Sequence, residues 1–131
     1  MKRIWDNRVV RWAAPLLWMA LIFFLSAQST LPNLAPDVPH LEEVGGHLAV
    51  YGVLALLWER ALRGAGVRHA AWWALAITLA YGASDECHQS FVPGRTMTMI
   101  DWIVDLLGAG LALTWSGWVQ ARGRAARWLA R

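Results

Sequence analysis

Four long apolar runs alternate with short polar stretches along the chain: Trp12–Ala27, Val44–Trp58, Ala70–Ala83 and Ile100–Val119. The stretches between them contain Pro and Gly or are rich in Arg, and no internal repeat or low-complexity segment interrupts the order. A helix that crosses about 30 Å of hydrocarbon needs about 20 residues. Three of the runs fall short when only unbroken apolar residues are counted. They reach spanning length once their polar ends are included, so those ends must sit at an interface or face protein. The predicted helices cover approximately residues 9–28, 44–62, 68–90 and 98–120, within a single domain of residues 1–131. A soluble four-helix bundle would leave one polar face on each helix. The third run, AAWWALAITLAYGA, has no charged face at any rotation. A helix apolar all round belongs in lipid or in the core of a much larger protein. The fold class expected is therefore all-α, an integral membrane four-helix bundle.

Charge orients that bundle. The 131 residues are 57% hydrophobic and 16% charged, with ten Trp and a net charge of +3. Of the 12 Lys and Arg, all but Arg95 lie on one side of a four-helix arrangement whose two termini face the same way. These are Lys2, Arg3, Arg8 and Arg11, then Arg60, Arg63 and Arg68, then Arg122, Arg124, Arg127 and Arg131. Positive charge collects on the cytoplasmic side, so the topology expected is N-in and C-in. Trp12, Trp58, Trp72, Trp73, Trp115 and Trp118 lie near the predicted cytoplasmic helix ends, as an aromatic belt requires. The basic tail is explained by orientation and anionic lipid with fewer assumptions than by nucleic acid, so the expected partner is the bilayer. The first run is read as a retained helix, because FLSAQST is a poor signal-peptide cleavage site. Pro15 is tolerated there as a residue of the first turn. The single cysteine, Cys87, excludes an intramolecular disulfide and a Cys-based metal cage.

Seven of the nine acidic residues fall at the opposite, extracytoplasmic end: Asp37, Glu42, Glu43, Asp85, Glu86, Asp101 and Asp105. His40, His47 and His88 join them. Asp37, His40 and Glu42 read as a solvated loop face. The others sit on helical spacing inside or beside apolar runs: His47 and Tyr51; Tyr81, Asp85 and Gln89 with His88; Asp101, Asp105 and Gly108. Residues three or four apart share a helix face, so three helices can each turn a polar stripe to a common centre. A carboxylate at the middle of a spanning helix costs about 3 kcal/mol on insertion scales, so Asp105 should face protein or a water-filled pocket. Arg95 is the one permanent positive charge on this side, and the Pro93-Gly94 turn can fold it over the carboxylates. Polar contact between helices accounts for the same pattern without any site.

The block YGASDECHQSFVPGRTMTMIDWIVDLLGAGLAL resembles the signature of the VanZ-like family of small bacterial membrane proteins. Tyr81, Asp85, Glu86, Gln89, Phe91, Pro93, Gly94, Arg95, Asp101, Asp105 and Gly108 match it position by position. Upstream, EEVGGHLAVYGVLALL is similar to the family's Asp-Lys-x-x-His-x-x-x-Tyr segment, and FFLSAQS to its Ser-rich end of the first helix. Glu43 stands for the family's Asp and Val44 for its Lys, so the usual basic partner is missing. Asp105 stands where many members carry Asn. The resemblance spans roughly Ser26 to Leu113. It implies a link to teicoplanin resistance that works without remodelling the peptidoglycan precursor.

Three functions compete. In the first, Asp85, Glu86, His47, His88, Gln89, Arg95, Asp101 and Asp105 form a catalytic or binding set, with Tyr51, Tyr81 and Glu43 as further binding residues. General acid/base groups and an anion-holding Arg would act on a lipid-linked or cell-envelope molecule. In the second, the same pocket only recognises such a molecule. In the third, ranked lowest, the acidic and His groups hold a divalent cation; no recognised metal-ligand spacing appears, and no cofactor is expected. A P-loop is absent. Gly45-Gly46 and Gly108-x-Gly110 read as close-packing positions, Gly64-Ala-Gly66 as a cytoplasmic turn, and His69 as an interfacial residue.

Overall fold

The computed structural model describes residues 7–29, 41–95 and 98–129, and every regular element among them is a helix. The helices are α1 (Arg8–Ser26), α2 (Leu41–Gly64), α3 (Ala70–Gln89) and α4 (Met99–Leu129), one on each apolar run. Lys2, Arg3, Asp37, His40 and Arg131, and the side chains of Glu42 and Glu43, lie outside the described residues.

Local chemistry explains several helix ends. Asn7 caps α1: its side-chain oxygen accepts from the Val9 N–H at 2.9 Å, satisfying one of the orphan donors of the first turn. Because the helix starts at Arg8, Pro15 lies two turns inside it and not in the first turn. It is fully buried, and it deprives the Arg11 carbonyl of its usual intrahelical donor. The turn between α2 and α3 uses Gly66 at φ +76° and His69 at φ 56°, both left-handed. At the start of α4, Thr98 is the cap. Its Oγ1 accepts from the Asp101 N–H at 3.2 Å and donates to Asp101 Oδ2 at 2.6 Å. The fourth helix runs nine residues past the predicted end at 120, through Arg122, Arg124 and Arg127.

The helix α2 is central and touches the other three, while α1 and α4 make no mutual contact among the described residues. Packing is tightest between α2 and α4. A Cβ on Gly108 would overlap the Leu48 backbone, and one on Gly52 would sit 3.2 Å from the Gly108 carbonyl oxygen. Gly45, Gly46 and Gly110 face open space, so the close approach is made by Gly52 and Gly108. Side chains also stitch the helices. Trp18 Nε1 donates to the Val50 carbonyl at 2.9 Å, Trp102 Nε1 to the Leu79 carbonyl at 3.1 Å, and Tyr81 Oη to the Met19 carbonyl at 2.6 Å. Each indole or phenol is half-buried and keeps a hydrogen bond. Trp58 belongs to this core and not to an outer belt: it is 9% exposed and meets Trp12 edge-on at 6.0 Å.

Polarity is inverted relative to a water-soluble bundle. The outer stripe of α4 is Ile100, Ile103, Leu107, Leu111, Trp115 and Trp118, all exposed. Its inner face carries Asp101, Val104, Asp105, Gly108 and Ala109, all buried. Leu16, Leu17, Leu21, Phe23 and Phe24 cover α1 in the same way. By length and composition α1 and α4 can cross a membrane; α2 and α3, with their polar ends, do not reach that standard.

Candidate functional site

The C-terminal ends of α1 and α3 and the N-terminal ends of α2 and α4 converge at one end of the bundle. There, Asp85, Glu86, Asp101 and Asp105 are buried together, each at most 9% exposed. Such burial requires compensation, because a carboxylate taken out of water loses several kcal/mol of solvation. The four residues obtain it unequally.

Asp85 is saturated. Its Oδ1 lies 2.5 Å from Ser26 Oγ on α1. Its Oδ2 accepts from Tyr51 Oη of α2 at 3.0 Å and from Gln89 Nε2, one turn along α3, at 3.2 Å. One carboxyl group thereby ties three helices together. Asp101 is engaged locally by the Thr98 cap. Glu86 accepts the Thr98 N–H at 3.2 Å through Oε2, while Oε1 is buried with no hydrogen-bond partner. Asp105, fully buried, meets His47 Nδ1 at 2.8 Å through Oδ1, and its Oδ2 has no partner. That second oxygen lies against Gly82, where even an added Cβ would come within 3.0 Å of it. Glu86 is one helical turn from Gly82, so it and the glycine that Asp105 packs against lie on the same face of α3. One ligand atom from each of His47, Glu86 and Asp105 lies within 4.8 Å of the other two.

Several residues grouped by the sequence pattern are turned elsewhere. His88 stacks on Phe23 of α1 at 4.4 Å, with Nε2 buried and unpartnered. Tyr81 spends its hydroxyl on Met19. Arg95 does not close over the cluster. It forms no ion pair with the four carboxylates, and its Nε is buried without a partner. The side chain of Glu43 is outside the described residues. His47 and Tyr51 do share a face, with rings nearly parallel at 6.0 Å. Two contributors were missed, Ser26 and Thr98. The Thr-x-x-Asp spacing of residues 98–101 is a capping signature that could have revealed the second. Ser26 had only the Ser-rich end of the first run to mark it.

The opposite end of the bundle shows how this fold compensates a buried carboxylate when the site is structural. Glu59 is 3% exposed, and both its oxygens are used, by Arg63 Nε at 2.8 Å and by Ser116 Oγ at 2.7 Å. No such guanidinium reaches Glu86 or Asp105 among the described residues. Their free oxygens are acceptors held on packed helices, and suit a ligand that brings donors or positive charge.

No curated protein and no solved structure matches the chain. The VanZ/LLP1 family model, however, matches residues 11–119, a span that begins in α1, ends in α4 and contains every residue of this cluster; the chain belongs to the VanZ/LLP1 family.

Proposed function

We propose that the chain is a multi-pass protein of the bacterial cytoplasmic (inner) membrane, N-in and C-in, and that its acidic cluster faces the extracytoplasmic surface. There the cluster binds the polar head of a lipid-linked or cell-envelope molecule. The observation that carries this reading is the reversed polarity: large apolar side chains coat the outside, while four of the five buried carboxylates among the described residues lie at one end and arginines collect at the other. An exposed apolar stripe of this kind marks a lipid or protein contact. The free oxygens of Glu86 and Asp105 favour a head group rich in hydroxyls, amides or amines over a bare phosphate. Binding is preferred to catalysis by Asp85, because both oxygens of that residue are already engaged.

The test compares what co-purifies with the wild type and with Glu86→Gln, by mass spectrometry of the extracted lipids and envelope precursors. A species retained by the wild type and lost from the variant supports the reading; identical extracts overturn it. The resemblance to VanZ-like proteins offers a phenotype to test. Expression in a susceptible host should raise the inhibitory concentration of teicoplanin, and Glu86→Gln should remove the rise. No rise with the wild type would exclude the resistance role.

A further inference from the structure

We infer that His47, Glu86 and Asp105 form a binding site for a divalent first-row transition cation, with Zn²⁺ as its test ion. The inference goes beyond the envelope-binding reading and does not depend on it, since it needs only three side chains of this chain. They come from three different helices, α2, α3 and α4, and their ligand atoms lie within 4.8 Å of one another. Ligands bound to zinc at about 2.1 Å in a tetrahedron are roughly 3.4 Å apart. Ligand atoms at up to 4.8 Å would have to draw together by about 1.4 Å or less to reach that spacing.

Proximity of acidic groups alone would not carry this conclusion. Two further features do. Glu86 is 3% exposed and Asp105 fully buried, yet Glu86 Oε1 and Asp105 Oδ2 have no hydrogen-bond partner. Buried polar atoms are nearly always paired, so two unpartnered carboxylate oxygens on residues this close mark groups that a ligand would satisfy. Moreover, no described Arg or Lys pairs with either residue, whereas the buried Glu59 at the other end has Arg63. A bound cation would supply here the positive charge that Arg63 supplies to Glu59.

The donor set selects the kind of ion. Ca²⁺ and Mg²⁺ prefer oxygen ligands only, while an imidazole beside two carboxylates suits Zn²⁺ or Mn²⁺. Three protein ligands leave a fourth position open, as in zinc sites that bind exogenous groups. That open position would accept an oxygen of a bound head group. Asp85 takes no part, because its oxygens already serve Ser26, Tyr51 and Gln89.

The experiment uses the untagged full chain in detergent, treated with chelator and titrated with Zn²⁺ alone by calorimetry. Co²⁺ gives a visible-absorption readout of the ligand set. One equivalent should bind, with Mg²⁺ and Ca²⁺ failing to compete at a hundredfold excess. His47→Ala, Glu86→Gln and Asp105→Asn should each weaken binding at least tenfold. Glu86→Gln keeps a carbonyl acceptor for Thr98, and circular dichroism of each variant establishes that it is folded. Absence of stoichiometric binding to the wild type would overturn the inference. So would equal competition by Mg²⁺, or undiminished affinity in folded Glu86→Gln. Zn²⁺ binding by a chain that retains no envelope molecule would leave this inference intact and overturn only the other.

Discussion

Both oxygens of Asp85 receive donors from Ser26, Tyr51 and Gln89, whereas its neighbour Glu86 uses one oxygen, on Thr98. Successive helix positions differ by about 100° in direction, so adjacent carboxylates can serve different partners. The contrast yields opposite mutational outcomes. Asp85→Ala strands the Tyr51 hydroxyl and the Gln89 amide in a buried site, at about 1–3 kcal/mol each, while Ser26 keeps the Ile22 carbonyl, and should destabilise the protein by at least about 2 kcal/mol. Glu86→Gln retains an oxygen for the Thr98 N–H and should change stability by less than about 1 kcal/mol while abolishing ligand retention. Reversible denaturation of the two variants in mixed micelles measures the difference. Equal destabilisation would contradict the separation of roles.

At the scale of elements, the fold depends on how closely α2 and α4 approach at Gly52 and Gly108. A Cβ at Gly108 meets the backbone of Leu48, which cannot swing aside as a side chain would. Gly108→Ala should therefore force the helices apart and cost about 1–3 kcal/mol, as overpacking does. Gly110→Ala, two residues away but facing open space, should be neutral or stabilising by up to about 1 kcal/mol through helix propensity. Denaturation midpoints of the two variants check the sign of each effect. The same pair shows what sequence periodicity could and could not convey. It put Gly108 on the face of Asp101 and Asp105 and identified both glycines as packing positions. It could not say that Gly110 points outward, because that depends on which face α2 occupies. Gly45 and Gly46 were misjudged for the same reason, and Pro15 because it falls in the first turn only when counted from the start of the apolar run at Trp12, four residues inside the helix that Asn7 caps.

For the whole molecule, the four helices were legible because each coincides with a long apolar run, and the polar end was legible because carboxylates inside such runs need a reason. The trio His47, Glu86 and Asp105 was not legible as a unit. Each member comes from a different helix, so no linear ligand spacing exists to be recognised. Arg95 was expected to close over it, an expectation based only on the flexibility of a Pro-Gly turn. The arrangement of charge nevertheless predicts an orientation that one native atom can report. Cys87 is the single cysteine and is exposed, on the same turn as Asp85 and Glu86. In intact cells, a thiol reagent that cannot cross the cytoplasmic membrane should label the wild type. A Cys87→Ser, Ala125→Cys variant carries its thiol on the exposed, Arg-rich end of α4 and should be labelled only after permeabilisation. The converse pattern would invert the topology and place the acidic cluster in the cytoplasm. Labelling of both thiols in intact cells would mean that the two ends of the bundle share one aqueous compartment, and the outer apolar stripes would then have to face protein and not lipid.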